Sequence, residues 1–97
     1  MMRPTEAQRE LAWIGDAVLS LFARSWIIRE GNGMDPLKVA AMTSNQFLSC
    51  FGNPTIVEST IGAVYQEQGL EAAFAKIEAE FVPLFLKQWK KKEPRKH

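Results

Sequence analysis

One stretch limits the folds open to this chain: Leu11-Ala12-Trp13-Ile14-Gly15-Asp16-Ala17-Val18-Leu19-Ser20-Leu21-Phe22-Ala23. Leu11, Ile14, Val18, Leu21 and Phe22 recur at helical spacing. Trp13, Ala17 and Leu19 cover most of the remaining circumference. A helix apolar nearly all round is expected at the centre of a domain, buried on every side. The only charge in the stretch, Asp16, is then expected on the least solvated element of the fold. Its neighbours three and four residues away are Ala12, Trp13, Leu19 and Ser20, and none is a cation. A buried carboxylate without a partner costs several kcal/mol, so it protonates, pairs or binds a metal. Asp16 is therefore either a hydrogen-bonded structural residue or a ligand or catalytic group.

The flanking sequence places this helix in an all-α fold. Thr5 is the expected N-cap, with Gln8 at the capping-box position, and the helix runs from about Glu6 to about Glu30 before Gly31-Asn32-Gly33. Residues 1–4 read as frayed. Asp35-Pro36 starts a second helix through Leu37, Val39, Ala40 and Ala41, which Thr43-Ser44-Asn45 interrupts. Ser44 is a candidate cap for a short helix carrying Gln46, Phe47, Leu48 and Phe51. Asn53-Pro54 opens the next helix, roughly Thr55 to Gln68, and Gly69 is expected to close it in the left-handed conformation. A last helix from Leu70 has Phe74, Ile77, Phe81, Leu84, Phe85 and Trp89 as its buried stripe, with a kink expected at Pro83. No strand pattern and no repeat appear.

Ninety-seven residues make one domain, read here as residues 1–89 followed by a basic tail, 90–97. Cys50 is the only cysteine, which excludes an internal disulfide. No apolar run reaches transmembrane length, and Arg3, Glu6, Arg9 and Glu10 do not suit a signal peptide, so a cytoplasmic protein without membrane contact is the default. The net charge of +1 hides an asymmetry: residues 87–97 carry +5 and residues 1–86 carry −4. Such a tail suits RNA phosphates or an acidic partner, and equally a solvated helix end.

A second carboxylate, Glu58, shares a stripe with Ile61, Gly62 and Tyr65. It is either a site residue or an exposed acid on a first helical turn. Two acids on two core helices, with no histidine pair and no cysteine cluster, suit a hard, oxygen-liganded metal such as magnesium.

The wording of these segments resembles the ribonuclease III endonuclease domain. Residues 11–18 are similar to its signature helix, Thr43-Ser44-Asn45 to the segment after its next helix, and Val57-Glu58-Ser59-Thr60-Ile61-Gly62-Ala63-Val64-Tyr65 with Gly69-Leu70-Glu71-Ala72-Ala73 to its second acidic helix. The matches come in family order over about residues 8–86. The likeness is nearest to the Mini-III branch, which lacks a separate double-stranded-RNA-binding domain. The resemblance implies a ribonuclease III-like helical fold, and Asp16 and Glu58 as catalytic magnesium ligands, with manganese as a substitute. It implies a homodimer that cuts double-stranded or structured RNA, with precursor ribosomal RNA as an expected substrate. Many full-length family members carry further acids where this chain has Ala12 and Thr55; Mini-III-like sequences tend to carry alanine and threonine there. The family also inserts helix and a basic loop where this chain has only Gly52-Asn53, a shortening between the two acidic helices.

Ser20, Thr55 and Asn45 are candidates for orienting the carboxylates. Arg24, Arg29, Lys38, Lys90, Lys91 and Lys92 are candidate RNA contacts. Trp13 and Trp26 are expected in the core or a dimer contact. An inactive relative retained as an RNA-binding or ribosome-associated subunit, and a plain helical dimerisation module, are the alternatives.

Overall fold

The computed structural model describes residues 3–31 and 33–92. Six helices follow in order: α1 (Glu6–Glu30), α2 (Pro36–Met42), α3 (Asn45–Leu48), α4 (Pro54–Gln68), α5 (Leu70–Glu80) and α6 (Val82–Lys92). No strand occurs among the described residues, and the fold is all-α. Asn32 of the expected breaker, and most of the expected tail, lie outside the described residues; α6 continues past Trp89 to Lys92.

Local chemistry sets the helix boundaries. Thr5 Oγ1 accepts from the Gln8 amide at 3.1 Å and Gln8 Oε1 accepts from the Thr5 amide at 2.8 Å, a complete capping box. Asp35 Oδ1 accepts from Lys38 N at 3.1 Å, with Pro36 in the first turn where a missing N–H costs nothing. Ser44 Oγ accepts from Phe47 N at 3.1 Å and starts α3. Asn53 Oδ1 accepts from Thr55 N and Ile56 N at 2.9 and 3.3 Å and starts α4.

Two endings differ from expectation. Gly69 has φ 94° and ψ 177°, a glycine conformation outside the left-handed helical well. It lets α5 begin in the next residue, with no side-chain cap. Pro83 breaks the last helix instead of bending it. The break falls at Phe81, and Pro83 then sits in the first turn of α6, where it has no helical hydrogen bond to lose.

The core is a single cluster in which Leu19, Met42, Leu48, Ile61 and Ile77 are completely enclosed. Phe47, Phe51, Phe81 and Phe85 pack ring against ring, with Phe51 stacked on Phe81 at 4.5 Å and Phe47 edge-on to Phe85 at 5.6 Å. Trp26 joins this group edge-on to Phe85 at 6.4 Å, so it is a core residue as expected.

The helix expected to be buried all round is not. α1 buries Ala12, Gly15, Val18, Leu19, Phe22, Ala23, Trp26 and Ile27, while Trp13, Asp16, Ala17, Leu21, Arg24 and Ile28 face outward. Trp13 is 81% exposed and Ile28 52%. At about 37 Å, α1 is too long for the five remaining helices to surround, and they cover one side of it. By length and composition α1 also passes for a membrane-crossing helix, contrary to the expectation that no segment would. Its covered face packs chiefly on α4, with α5 and α2 adding to it.

Candidate metal centre at the crossing of α1 and α4

Two glycines set the distance between α1 and α4. Gly15 and Gly62 are both buried at the crossing. A β-carbon placed on Gly15 would fall on the carbonyl oxygen of Glu58 and lie 2.9 Å from Gly62 N. One placed on Gly62 would fall on the carbonyl oxygen of Leu11 and lie 3.2 Å from Gly15 N. The two main chains are therefore in direct contact, closer than side chains allow in ordinary helix packing.

Asp16 follows Gly15, and Glu58 precedes Gly62 by one turn. The crossing thus brings together two carboxyl groups that are distant in sequence. Asp16 is exposed and Glu58 half-buried, which corrects the expectation of a deeply buried Asp16. The reason is the open outer face of α1. Among the described residues neither acid is in an ion pair. Burial raises the Glu58 carboxyl from its ordinary 4.5 to about 7, helped by a hydrogen bond to Asp16 and by repulsion from its charge. Glu58 therefore changes protonation state close to neutral pH, beside the Asp16 carboxyl.

No cluster of three or more histidine, cysteine, aspartate or glutamate side chains occurs among the described residues. The donor set is two hard carboxylates with no compensating cation, partly open to solvent. That set fits magnesium or manganese, with the other coordination positions left to water and substrate oxygens. Ala12, where many ribonuclease III sequences carry an acid, is buried, and Thr55 lies on the first turn of α4. Ser20, Thr55 and Asn45 make no side-chain hydrogen bond to Asp16 or Glu58 among the described residues. Ser20 lines the space between α1 and α2, and Asn45 is exposed at the start of α3. The hydroxyls beside Glu58 are engaged within α4: Ser59 and Thr60 donate to the Ile56 carbonyl at 2.7 and 3.0 Å.

The raised acidity constant has a consequence for stability. The unfolded chain releases the Glu58 proton near pH 4.5 and the folded protein near pH 7. Between these values the folded state binds more protons, so stability falls as pH rises through the window and stays lower above it. With Glu58 only partly buried, solvent screening limits the loss to about 1 kcal/mol. Glu58→Gln mimics the protonated acid at all pH values. It is expected to melt with the wild type near pH 4 and about 5 °C above it at pH 8. Equal melting temperatures at both pH values would contradict the raised acidity constant of Glu58.

The expected RNA contacts do not gather around Asp16 and Glu58. Arg24 lines a hollow of about 630 Å³ between α1 and α2, which includes neither Asp16 nor Glu58. Arg29 pairs with Glu30 at 3.2 Å and Glu78 at 3.9 Å. The Lys38 ammonium sits 5.9 Å from the Trp26 ring and 5.8 Å from that of Trp89. Lys90 is exposed on α6; the side chains of Lys91 and Lys92 lie outside the described residues. Gly15 went unmarked in the sequence as a contact residue, although its place beside Asp16, matched by Gly62 one turn from Glu58, was the available sign. No protein-family model, no curated protein and no solved structure matches the chain.

Proposed function

We propose that this protein is a divalent-metal-dependent endoribonuclease acting on double-stranded or structured RNA, and that it works as a homodimer. The observation that carries the reading is the meeting of Asp16 and Glu58 at the Gly15–Gly62 crossing. The resemblance of residues 11–18 and 57–65 to the two acidic helices of ribonuclease III supports it. When bound, magnesium supplies an activated water and neutralises charge on the phosphate under attack. The chain's own residues fix where this happens. Glu58, anchored in the crossing, would hold the cation as the deprotonated carboxylate. Asp16, on the open side, faces the substrate. The backbone contact holds their spacing, so the geometry exists before the substrate arrives. The direct test is cleavage of a labelled RNA duplex by protein free of other nucleases, with and without chelator. Cutting that survives exhaustive chelation would rule this mechanism out.

The outward stripe of α1 is the dimerisation surface in this reading. Trp13, Ala17, Leu21 and Ile28 form an exposed apolar row on the longest helix of the fold. Trp13 is its expected anchor. Across a two-fold axis its loss counts twice, so Trp13→Ala is expected to weaken dimerisation by about 4 kcal/mol, roughly a thousandfold. Sedimentation at micromolar concentration should then show a monomer. A variant with the mass of the wild type would remove this face from consideration.

A second reading, an RNA-binding subunit without activity, is favoured by one observation: the pair has no third acidic, cysteine or histidine neighbour among the described residues. It predicts duplex binding without turnover in magnesium or manganese.

A further inference from the structure

Positive charge gathers at an end of the molecule that the crossing of α1 and α4 does not use. Lys87 and Lys90 lie exposed on the outer face of α6, one turn apart or about 4.5 Å along its axis. Lys38 reaches the same end from α2, its ammonium held between Trp26 and Trp89. None of the three is in an ion pair with a described carboxylate, whereas Arg29 and Lys76 are paired to Glu30, Glu78 and Glu80. Lys38 thus reaches Trp89, the residue next to Lys90, none of the three lysines is paired with a described carboxylate, and Lys38 is ordered by cation–π contact.

The chemistry of α6 selects among anionic partners. A lipid surface takes up a basic helix through its free apolar face. Here that face is occupied: Val82 and Phe85 are buried in the core, and Trp89 stacks on Phe85 at 5.6 Å. Leu86 alone among the large apolar residues of α6 is markedly exposed. What remains outside is charge at helical spacing, which suits a phosphate backbone.

We propose that Lys38, Lys87 and Lys90 form a phosphate-contacting surface for duplex RNA, separate from the Asp16–Glu58 centre. The choice of RNA rests on the nuclease reading; the surface itself does not. Trp26, which helps to hold Lys38, lies ten residues beyond Asp16 on α1, about 15 Å along the helix axis. The surface therefore grips the duplex away from the phosphate being cut.

The test measures binding of the full chain to a labelled 25-base-pair RNA duplex in chelator, at salt from 50 to 200 mM. Cleavage is then absent, and failure of the nuclease reading shows separately as no turnover when magnesium is added. Each phosphate contact contributes roughly 0.9 to the slope of log affinity against log salt. Lys87→Ala with Lys90→Ala is expected to flatten that slope by about 2 and to weaken binding about tenfold at low salt. Lys38→Gln should flatten it by about 1. Lys76→Ala, a lysine already paired with Glu80, should leave it unchanged. Matched circular dichroism melting curves check that the variants fold. Absence of duplex binding by the wild type, or the same slope in the double variant, would overturn the proposal. So would loss of binding to phosphatidylserine vesicles in a double variant whose RNA affinity is intact.

Discussion

Asp16→Asn is expected to lower the rate of magnesium-dependent cleavage of duplex RNA by about a thousandfold or more, with the fold intact. The substitution keeps the size of the side chain and removes its charge. Asp16 is exposed and lies outside the core, so no packing is lost. What is lost is one of the two carboxylates that the proposed site offers a cation. A metal's stabilisation of transition-state charge is worth several kcal/mol, and about 4 kcal/mol corresponds to a thousandfold. Glu58→Gln is expected to do the same from the other side of the pair, while gaining stability at alkaline pH. Activity and stability thus move in opposite directions at Glu58, as expected for a residue kept for function at a structural cost. The measurement is a single-turnover rate with saturating enzyme beside a melting curve. A rate within tenfold of the wild type in both variants would remove the two acids from the chemistry.

The largest effect on stability is expected at Gly15. In Gly15→Ala the new methyl group meets the Glu58 carbonyl oxygen and the Gly62 amide, and both are main-chain atoms of a helix. A flexible side chain would swing aside; helical backbone cannot, and the helices must separate. Overpacking of this kind costs about 3 kcal/mol. For a domain of this size that is a fall of about 15 °C in melting temperature. Gly33→Ala serves as the comparison. Gly33 has φ 108°, unfavourable for alanine, yet beyond its chain neighbours no described atom lies within 4 Å of the added carbon. Its cost is expected near 1 kcal/mol, from backbone strain alone. Similar losses in the two variants would mean that the α1–α4 contact is not what limits Gly15.

Much of the fold was legible because its boundaries are written in local chemistry. Thr5 with Gln8, Asp35-Pro36, Ser44 and Asn53-Pro54 each satisfy or remove backbone donors near themselves, and such signals need no tertiary context. The misreadings were of what surrounds an element. Nothing in the composition of α1 says that Trp13 and Ala17 face out while Val18 and Leu19 face in, since all four are apolar. Which side is covered depends on where α4 and α5 land. The same holds for Asp16: its identity was plain, and its exposure followed from that open face. Pro83 was read correctly as a disruption. Its effect appears two residues earlier, because a proline fits the first turn of a new helix better than the middle of an old one. Two acids on two core helices suggest a shared site and the resemblance pairs Asp16 with Glu58, while periodicity alone does not say which helices cross.

The contact between the two main chains has a bearing on ancestry. Hydrophobic positions in the interior tolerate drift, because any residue of similar volume fills them. The two glycines of the crossing do not share that freedom: one stands directly before Asp16 and the other four places after Glu58. Distant kin that no longer align with this chain should be sought by that sparse fingerprint, glycine–acid on one long helix and acid–three–glycine on a later one, with the intervening length left open.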